Sequence, residues 1–244
     1  MVPLVPDNIC VKKNNFIFNV IDDDLFHRPL GFDYWEKFYP DSEPSVFRAY
    51  DKYLNKDKDF LDIGAWIGPN TLYAAELSRK VVAIEPDPVA FSFLKKNVEA
   101  NKFKNVILLE KAFSSSKQLS IDPSVELGDS MTRVLDSVNL DRKTVEGVDM
   151  EELLSLGDYS LIKIDIEGYE SIAIPSFEES LIKAKIPMVL SLHTSFNPNK
   201  EEGHRSLVAS LSKIYTHAFD DYENRIDIKD LPEGFGCFLL TKEE

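Results

Sequence analysis

Cysteine is scarce in this chain, which has only two among its 244 residues. Cys10 and Cys237 lie near opposite ends, and neither a disulfide framework nor a cysteine zinc site can be built from this pattern. We expect both to be buried, small apolar residues in a reducing compartment, and we predict a cytoplasmic location. The first residues lack the basic flank and long apolar core of a signal peptide. No window is apolar over the length of a membrane span.

Basic residues are also few, because 28 Lys and Arg oppose 42 Asp and Glu and give a formal net charge of −14. Binding to nucleic acid or to an anionic membrane depends on Lys and Arg side chains that neutralise phosphates. We therefore expect no nucleic-acid partner and no membrane partner. A neutral acceptor suits this composition better than a polyanion does. The sequence leaves the oligomeric state open.

From residue 59 onward, apolar segments of strand length alternate with segments of helical spacing. Such alternation predicts an α/β fold, with a mostly parallel sheet covered by helices on both faces. Residues 1–57 do not follow this rhythm, and we interpret them as an N-terminal cap on the acceptor side of a domain spanning 58–244. Pro175 is predicted to lie in the first turn of a helix over 175–184.

A turn with two glycines follows the first predicted strand, in the segment FLDIGAWIGPN at 60–70. Glycine there lets a backbone approach a ligand closely. The next apolar strand ends at Glu85, about 20 residues after Asp62, and an acid at this distance can hold ribose hydroxyls. The pair of segments therefore predicts an adenosine-containing cofactor.

The spacing of this turn distinguishes between cofactors. Dinucleotide sites use G-x-G-x-x-G and nucleotide triphosphate sites use G-x-x-x-x-G-K-[ST], whereas here three residues separate Gly64 from Gly68. The Asp62 carboxylate would repel a pyrophosphate but suits the sulfonium and ammonium groups of S-adenosylmethionine. We therefore favour S-adenosylmethionine over NAD and ATP. The alternative is an ordinary strand-to-helix turn that binds nothing.

A second polar motif, LIKIDIEGYE, occupies residues 161–170. Lys163, Asp165 and Glu167 alternate onto one side of the predicted strand. Ionisable groups there are costly unless they pair or face a polar cleft. The functional interpretation makes Asp165 a general base or acceptor-positioning group, with His193 at the end of the next strand as the other candidate base. The alternative is a structural Lys163–Asp165 ion pair, with Glu167 capping the next helix.

Hard oxygen and nitrogen ligands for Mg²⁺ could come from Asp165, Glu167 and His193. Their spacing in the sequence does not establish such a site. We therefore assign no metal site and leave dependence on a divalent metal open.

Together these motifs resemble the FkbM family of class I S-adenosylmethionine-dependent methyltransferases. The resemblance covers about residues 59–195 and rests on four segments. These are DIGAWIG at 62–68 followed by Thr71 and Leu72, EPDP at 85–88, NVEAN at 97–101, and IKIDIEGYE at 162–170. Trp66 stands where the family pattern has Asn.

The resemblance implies a Rossmann-like methyltransferase sandwich whose seven-stranded sheet has an antiparallel last strand. It implies S-adenosylmethionine as methyl donor and S-adenosylhomocysteine as product. It also implies the donor contacts: the amino-acid part at Asp62, Gly64, Ile67 and Gly68, the ribose at Glu85, the adenine surroundings at Pro86, Asp87, Ala112 and Phe113, and a further contact at Asn70.

The resemblance favours a hydroxyl acceptor, with a sugar in a glycan or glycoside as the expected class. Methylation of another small metabolite or of a protein lysine is the enzymatic alternative. A non-catalytic domain that binds the cofactor is the alternative from a different class. An amino-methylating enzyme of nucleic acids is discounted, because its N/D-P-P-[YF] motif is replaced by Asp-Ile-Glu-Gly at 165–168.

Overall fold

The computed structural model describes residues 7–22, 34–122, 126–136, 142–196 and 200–242. Its N-terminal part begins with an antiparallel hairpin. The hairpin strands are β1 (Asp7–Lys13) and β2 (Phe16–Asp22). A π-helical turn at Tyr34–Phe38 and a 3-10 turn at Tyr39–Asp41 then lead into helix α1 (Pro44–Tyr53).

Strands and helices alternate from residue 59 onward, as the sequence predicts. The first elements are β3 (Asp59–Ile63), α2 (Pro69–Leu77), β4 (Lys80–Ile84), α3 (Pro88–Ala100) and β5 (Val106–Leu109). Four short strands follow, namely β6 (Ala112–Phe113), β7 (Gln118–Ile121), β8 (Val134–Leu135) and β9 (Thr144–Val148). The remaining elements are α4 (Met150–Ser155), β10 (Tyr159–Ile164), α5 (Glu170–Ser176), α6 (Glu178–Ala184), β11 (Met188–His193), a 3-10 turn (Thr194–Phe196), α7 (Lys200–Ile214), β12 (His217–Phe219), β13 (Arg225–Ile226), a 3-10 turn (Ile228–Asp230) and β14 (Phe235–Thr241).

A sheet of eight strands, in the order β13-β12-β14-β11-β10-β3-β4-β5, runs through the centre of the described residues. Strands β11, β10, β3, β4 and β5 are parallel, and β14 is antiparallel to both of its neighbours. The predicted Rossmann-like sheet with an antiparallel last strand is therefore confirmed. The two-residue strand β13 adds an edge strand that the sequence analysis did not include. Strands β6 to β9 form a separate small sheet.

Apolar side chains alternate between two clusters along the central strands. On β3, Phe60 joins one cluster whereas Leu61 and Ile63 join the other. On β4, Val81 and Val82 divide in the same way. Because the strands are buried on both faces, they are almost continuously apolar rather than alternating with polar residues. Because β3, β4, β10 and β11 are parallel neighbours, their carboxyl ends lie at the same edge of the sheet.

Pro175 lies inside α5, near its end, and not in the first turn of a single helix over 175–184. The prediction of one helix there was wrong, because α5 and α6 are separate helices that meet at Phe177. Proline offers no backbone N–H to continue the ladder of hydrogen bonds, and α5 stops one residue later.

The two cysteines differ from the expected pair of buried residues. Cys10 is exposed, and Cys237 is only partly buried. Cys10 lies on β1, where Asn8, Cys10 and Lys12 are exposed and Val11 and Lys13 are buried, so one face of this hairpin is open to solvent. No described helix is long and apolar enough to cross a membrane.

The buried ammonium group of Lys13 joins β1 to the turn before α1. It donates hydrogen bonds to the carbonyl oxygens of Tyr39 at 2.8 Å, Pro40 at 3.2 Å and Ser42 at 2.5 Å. It also lies 4.0 Å from the centre of the Phe47 ring. A buried cation needs such partners to offset the loss of hydration. Lys13 therefore fixes the position of the turn at 39–42.

We expect Lys13→Met to destabilise the fold by about 2 kcal/mol, because charge-assisted hydrogen bonds to buried carbonyls are lost. Urea unfolding followed by circular dichroism measures the change. The exposed neighbour Lys12 provides the control, and Lys12→Met should stay within about 0.5 kcal/mol of the parent protein. Equal stabilities of the two variants would contradict the role assigned to Lys13.

Candidate active site

A cleft with an empty volume of about 1050 Å³, partly open to solvent, lies at the carboxyl ends of β3, β4 and β10. One wall is apolar and is formed by Ile84, Pro86, Ala112, Phe113 and Val134. Acidic side chains line other parts of the cleft, namely Glu43, Glu85, Asp129, Asp165 and Glu167. Ligands of open α/β sheets bind at this edge, so the cleft is the candidate active site.

The two glycines of the first turn are required by their backbone conformation. Gly64 has a φ of +82°, and a Cβ on it would lie 1.7 Å from the carbonyl oxygen of Asp165. Gly68 has a φ of +101°, and its Cβ would lie 2.8 Å from Cδ1 of Leu94. Gly64 therefore allows the ends of β3 and β10 to approach each other, and Gly68 allows α3 to pack against the turn.

Glu85 lies at the junction of the turn and the apolar wall. Its Oε2 accepts a hydrogen bond from the Trp66 N–H at 2.8 Å, and its Oε1 accepts one from the Asp87 N–H at 2.8 Å. Burial raises the pKa of the Glu85 carboxyl group to about 8, although both backbone hydrogen bonds oppose the shift. Each carboxylate oxygen keeps a further lone pair that can accept from a ligand hydroxyl.

Asp87 contributes to the cleft through a loop and not by its own side chain. Its Oδ1 accepts from the N–H groups of Val89 and Ala90 at the start of α3. Its Oδ2 accepts from the Gly128 N–H at 2.7 Å and from the Thr132 hydroxyl at 2.8 Å. Asp87 therefore caps α3 and holds the 126–136 segment, which supplies Thr132 and Val134 to the cleft lining.

Asp62 lies beneath the turn instead of in the cleft. Its side chain is fully buried, and its Oδ2 accepts a hydrogen bond from the Thr71 hydroxyl at 2.5 Å. Its Oδ1 lies 3.8 Å from the Lys163 ammonium group. Ile67 is likewise buried, in the apolar cluster next to α2 and α3. Among the predicted donor contacts, the cleft lining includes Gly64, Asn70, Glu85, Pro86, Ala112 and Phe113.

Lys163 connects the ends of β3 and β10. Its ammonium group lies 3.2 Å from Asp165 Oδ2 and donates to the Gly64 carbonyl oxygen at 3.2 Å. Burial by itself would lower the pKa of Lys163, but the charges of Asp165, Asp62 and Glu43 raise it above its usual value. The side chain is therefore a permanent cation, and the Lys163–Asp165 ion pair considered in the sequence analysis is present.

His193 lies among three carboxylates. Its Nδ1 is 3.6 Å from Asp165 Oδ1 and 3.6 Å from Glu170 Oε1, and its Nε2 is 3.8 Å from Glu167 Oε1. Burial alone would lower its pKa, but Glu170, Asp165 and Glu167 together raise it to about 9. At neutral pH the imidazole is consequently mostly protonated. The cleft lining includes Asp165 and Glu167 but not His193.

Glu170 shapes the turn that carries the acidic residues. Its Oε1 accepts from the Ile166 N–H at 3.0 Å, and its Oε2 accepts from the Gly168 N–H at 2.9 Å. Glu170, and not Glu167, thus provides the carboxylate that binds the backbone at the start of α5. Glu167 itself has a φ of +54°. Burial, and then the charge of Asp165, raise the pKa of Glu167 above its usual value.

Asp165, Glu170 and His193 also satisfy a distance criterion for metal ligation. Each offers one ligand atom, and the three atoms lie within 4.8 Å of one another. A divalent cation could be held there, with Glu170 in the place that the sequence analysis gave to Glu167. The same atoms are already grouped as an imidazolium among carboxylates, so the geometry does not require a metal.

Three cleft residues come from the N-terminal part, which the sequence analysis interpreted as a cap on the acceptor side. They are Tyr34, Phe38 and Glu43. The Tyr34 and Trp66 rings meet edge to face, with centroids 4.7 Å apart, and the Trp66 Nε1–H donates to the Gly128 carbonyl oxygen at 2.9 Å. The aromatic-rich segment around Tyr34 was a visible signal, whereas nothing in the sequence distinguished Glu43.

The residues of the cleft fit an adenosylated sulfonium compound. The apolar wall suits an adenine ring, and the Glu85 carboxylate suits vicinal ribose hydroxyls. The acidic groups at the end of β10 suit a positively charged sulfur. Five carboxylates oppose two lysines, Lys111 and Lys163, in the cleft lining, so a phosphate-bearing ligand suits it less well.

A family profile described as "Methyltransferase FkbM domain" matches residues 62–226, which is more than half of the chain. The hexuronic acid methyltransferase AglP of Haloferax volcanii is 23% identical over 156 residues, and the match covers 64% of each chain. This chain therefore spans just under two thirds of the length of that relative.

A solved structure of a methyltransferase shares the fold, and a second is similar at a lower TM-score. The precorrin-6y C5,15-methyltransferase of Geobacter metallireducens GS-15 is 18% identical, with coverage of 91% of this chain and 96% of that one and a TM-score of 0.50. The methyltransferase FkbM of Methylobacillus flagellatus KT is 15% identical, with coverage of 76% and 44% and a TM-score of 0.48. The fold is that of class I Rossmann-like methyltransferases. By the family match over 62–226, the chain belongs to the FkbM methyltransferase-domain family.

Proposed function

We propose that this chain is an S-adenosylmethionine-dependent O-methyltransferase that acts on a hydroxyl of a sugar in a glycan or glycoside. One observation carries the proposal: a single cleft joins an apolar wall and Glu85 to the carboxylates of Asp165 and Glu167. The apolar wall and Glu85 suit an adenosyl donor. The carboxylates suit an acceptor hydroxyl that must lose a proton. The hexuronic acid named for the Haloferax relative supports a sugar acceptor.

The donor would be held by Glu85 at its ribose and by Pro86, Ala112 and Phe113 around its adenine. When bound, it supplies a methyl group on a positively charged sulfur, the electrophile for an in-line displacement. The chain's own task is to place an acceptor oxygen against that methyl group in line and to exclude water. Such positioning contributes a large part of the rate enhancement of two-substrate enzymes.

Asp165 is proposed to take the proton of the acceptor hydroxyl. Its Oδ2 is engaged by Lys163, whereas its Oδ1 has no hydrogen-bond partner among the described residues. His193 is already mostly protonated at neutral pH, so it supplies positive charge instead of accepting the proton. Glu167 lines the cleft next to Asp165 and is proposed to orient the acceptor.

The domain division at residues 57 and 58 stays a prediction. Tyr34, Phe38 and Glu43 enter the cleft from the segment before this boundary, which supports a part for the N-terminal segment in ligand recognition.

The exclusion of nucleic acid as acceptor also stays a prediction from net charge. A short RNA therefore belongs in the acceptor panel below.

Isothermal titration calorimetry should detect binding of S-adenosylhomocysteine to the protein. Incubation with S-adenosylmethionine and a panel of glycosides, uronic acids, lysine peptides and RNA should then give a mass increase of one methyl group on a sugar. Methylation of lysine or RNA alone would contradict the acceptor class. Absence of any binding of S-adenosylhomocysteine would contradict the function as a whole.

Asp165→Asn should lower the transfer rate at least about a hundredfold, because general-base catalysis contributes on this scale. Binding of S-adenosylhomocysteine should change by less than about threefold, since the donor pocket keeps Glu85 and its apolar wall. His193→Gln should lower the rate less, because His193 acts through Asp165. The control is Asp158→Asn, an exposed aspartate at the opposite end of β10. Full activity of both site variants would show that the catalytic assignment is wrong.

Affinity for S-adenosylhomocysteine should increase with pH between about 6 and 8. In the protein without ligand, burial raises the pKa of Glu85 to about 8, so its carboxyl group is largely protonated at pH 6. Ribose hydroxyls donate to the ionised carboxylate, so binding lowers this pKa and releases a proton. Calorimetry in buffers of different ionisation enthalpy measures the release. In Glu85→Gln the pH dependence should be lost and binding should be weaker; an unchanged slope would exclude Glu85 as its source.

A further inference from the structure

Glu43 enters the cleft in a backbone conformation that is costly for a glutamate. It precedes α1 with φ at 47° and ψ at 48°, in the left-handed region. A side chain with a Cβ pays of order 1 kcal/mol or more to adopt this conformation. Strain of this kind persists where surrounding contacts impose it, and it is frequent at ligand sites.

The contacts that impose this conformation come from β1. Lys13 binds the carbonyl oxygens of Tyr39, Pro40 and Ser42, the residue immediately before Glu43. The Tyr39 hydroxyl in turn donates to the Pro69 carbonyl oxygen at the start of α2, at 3.0 Å. The turn before Glu43 is therefore fixed on both sides, next to the start of α2.

Asn70 lies in the first turn of α2, and it lines the same cleft as Glu43. It is 4% exposed. Its amide oxygen, Oδ1, is buried and has no hydrogen-bond partner among the described residues. A carboxylate and an amide oxygen are both acceptors, so this part of the cleft offers two acceptor groups.

The nearby cations do not fill this place. Lys163 is engaged by Asp165, Asp62 and the Gly64 carbonyl oxygen. Lys13 is engaged by the carbonyl oxygens of the turn at 39–42. Glu43 and Asn70 therefore present two acceptors, a carboxyl group and an amide oxygen, to a ligand group with several N–H donors and a positive charge. A primary ammonium group has this chemistry.

The position of the pair along the sheet edge indicates which ammonium group this is. The adenosine side of the cleft follows β4, whereas Asn70 lies at the start of α2, which follows β3, the strand between β4 and β10. Strands β4 and β10 flank β3 on either side, so their ends are about 10 Å apart. We propose that Glu43 and Asn70 form a subsite for the α-ammonium group of the methionyl part of the donor, the place that Asp62 was expected to hold. This subsite rests on the proposed function.

Two ligands that differ in the amino-acid part test the subsite by calorimetry. S-adenosylhomocysteine carries the ammonium group, whereas 5′-methylthioadenosine keeps the adenosine and the sulfur without it. Glu43→Gln should weaken binding of S-adenosylhomocysteine about ten- to a hundredfold, the worth of a charge-assisted hydrogen bond. The affinity of this variant for 5′-methylthioadenosine should stay within about twofold of that of the parent protein. If Glu43 had a merely structural role, the affinities for both ligands would fall together.

The control is Glu36→Gln, an exposed glutamate of the same N-terminal segment, which should change neither affinity. Asn70→Ala provides a second variant if Glu43→Gln does not fold. It should also weaken binding of S-adenosylhomocysteine alone, by a smaller factor. Equal losses for both ligands, or no loss for S-adenosylhomocysteine, would overturn the subsite while the proposed function stands. If the parent protein binds neither ligand, the proposed function fails and the subsite fails with it.

Discussion

The buried ammonium group of Lys163 is the interaction on which the floor of the cleft depends. It joins Asp62 and the Gly64 carbonyl oxygen at the end of β3 to Asp165 at the end of β10. A buried charge with its partners removed costs about 3–5 kcal/mol, so none of these groups is free to move alone. The close approach of Gly64 to the Asp165 carbonyl oxygen fixes the same two strand ends. The acidic part of the cleft is therefore rigid before any ligand arrives.

The positions of the strand-end residues could be predicted because they follow from local pattern and sheet geometry. Apolar strands ending in Glu85, Asp165 and His193 had to bring these residues to one edge. The direction of each side chain could not be predicted in this way. Asp62 and Asp165 both follow apolar runs, yet Asp62 points beneath the turn to Thr71, while Asp165 reaches the cleft. That difference depends on packing against α2, which no local pattern records.

The contribution of the N-terminal part was hidden for a different reason. Glu43 reaches the cleft through a left-handed residue held by a lysine on β1, about 30 positions earlier in the chain. Contacts across such separations leave no periodic trace in a sequence. Glu170 shows a milder case: it was part of the recognised motif, but the structural alternative assigned the capping of the next helix to Glu167. The structure gives the backbone hydrogen bonds at Ile166 and Gly168 to Glu170 instead.

The two carboxylate oxygens of Asp87 have separate partners, and this has a consequence for motion. Oδ1 serves the start of α3, and Oδ2 serves Gly128 and Thr132. The loop can therefore lose its bonds to Oδ2, and the bond from Trp66 to the Gly128 carbonyl oxygen, while the helix cap at Oδ1 survives. Opening on this side of the cleft is then a local fluctuation that leaves the sheet and α3 intact. Access to the adenosine side of the cleft can thus change without any unfolding of the central sheet.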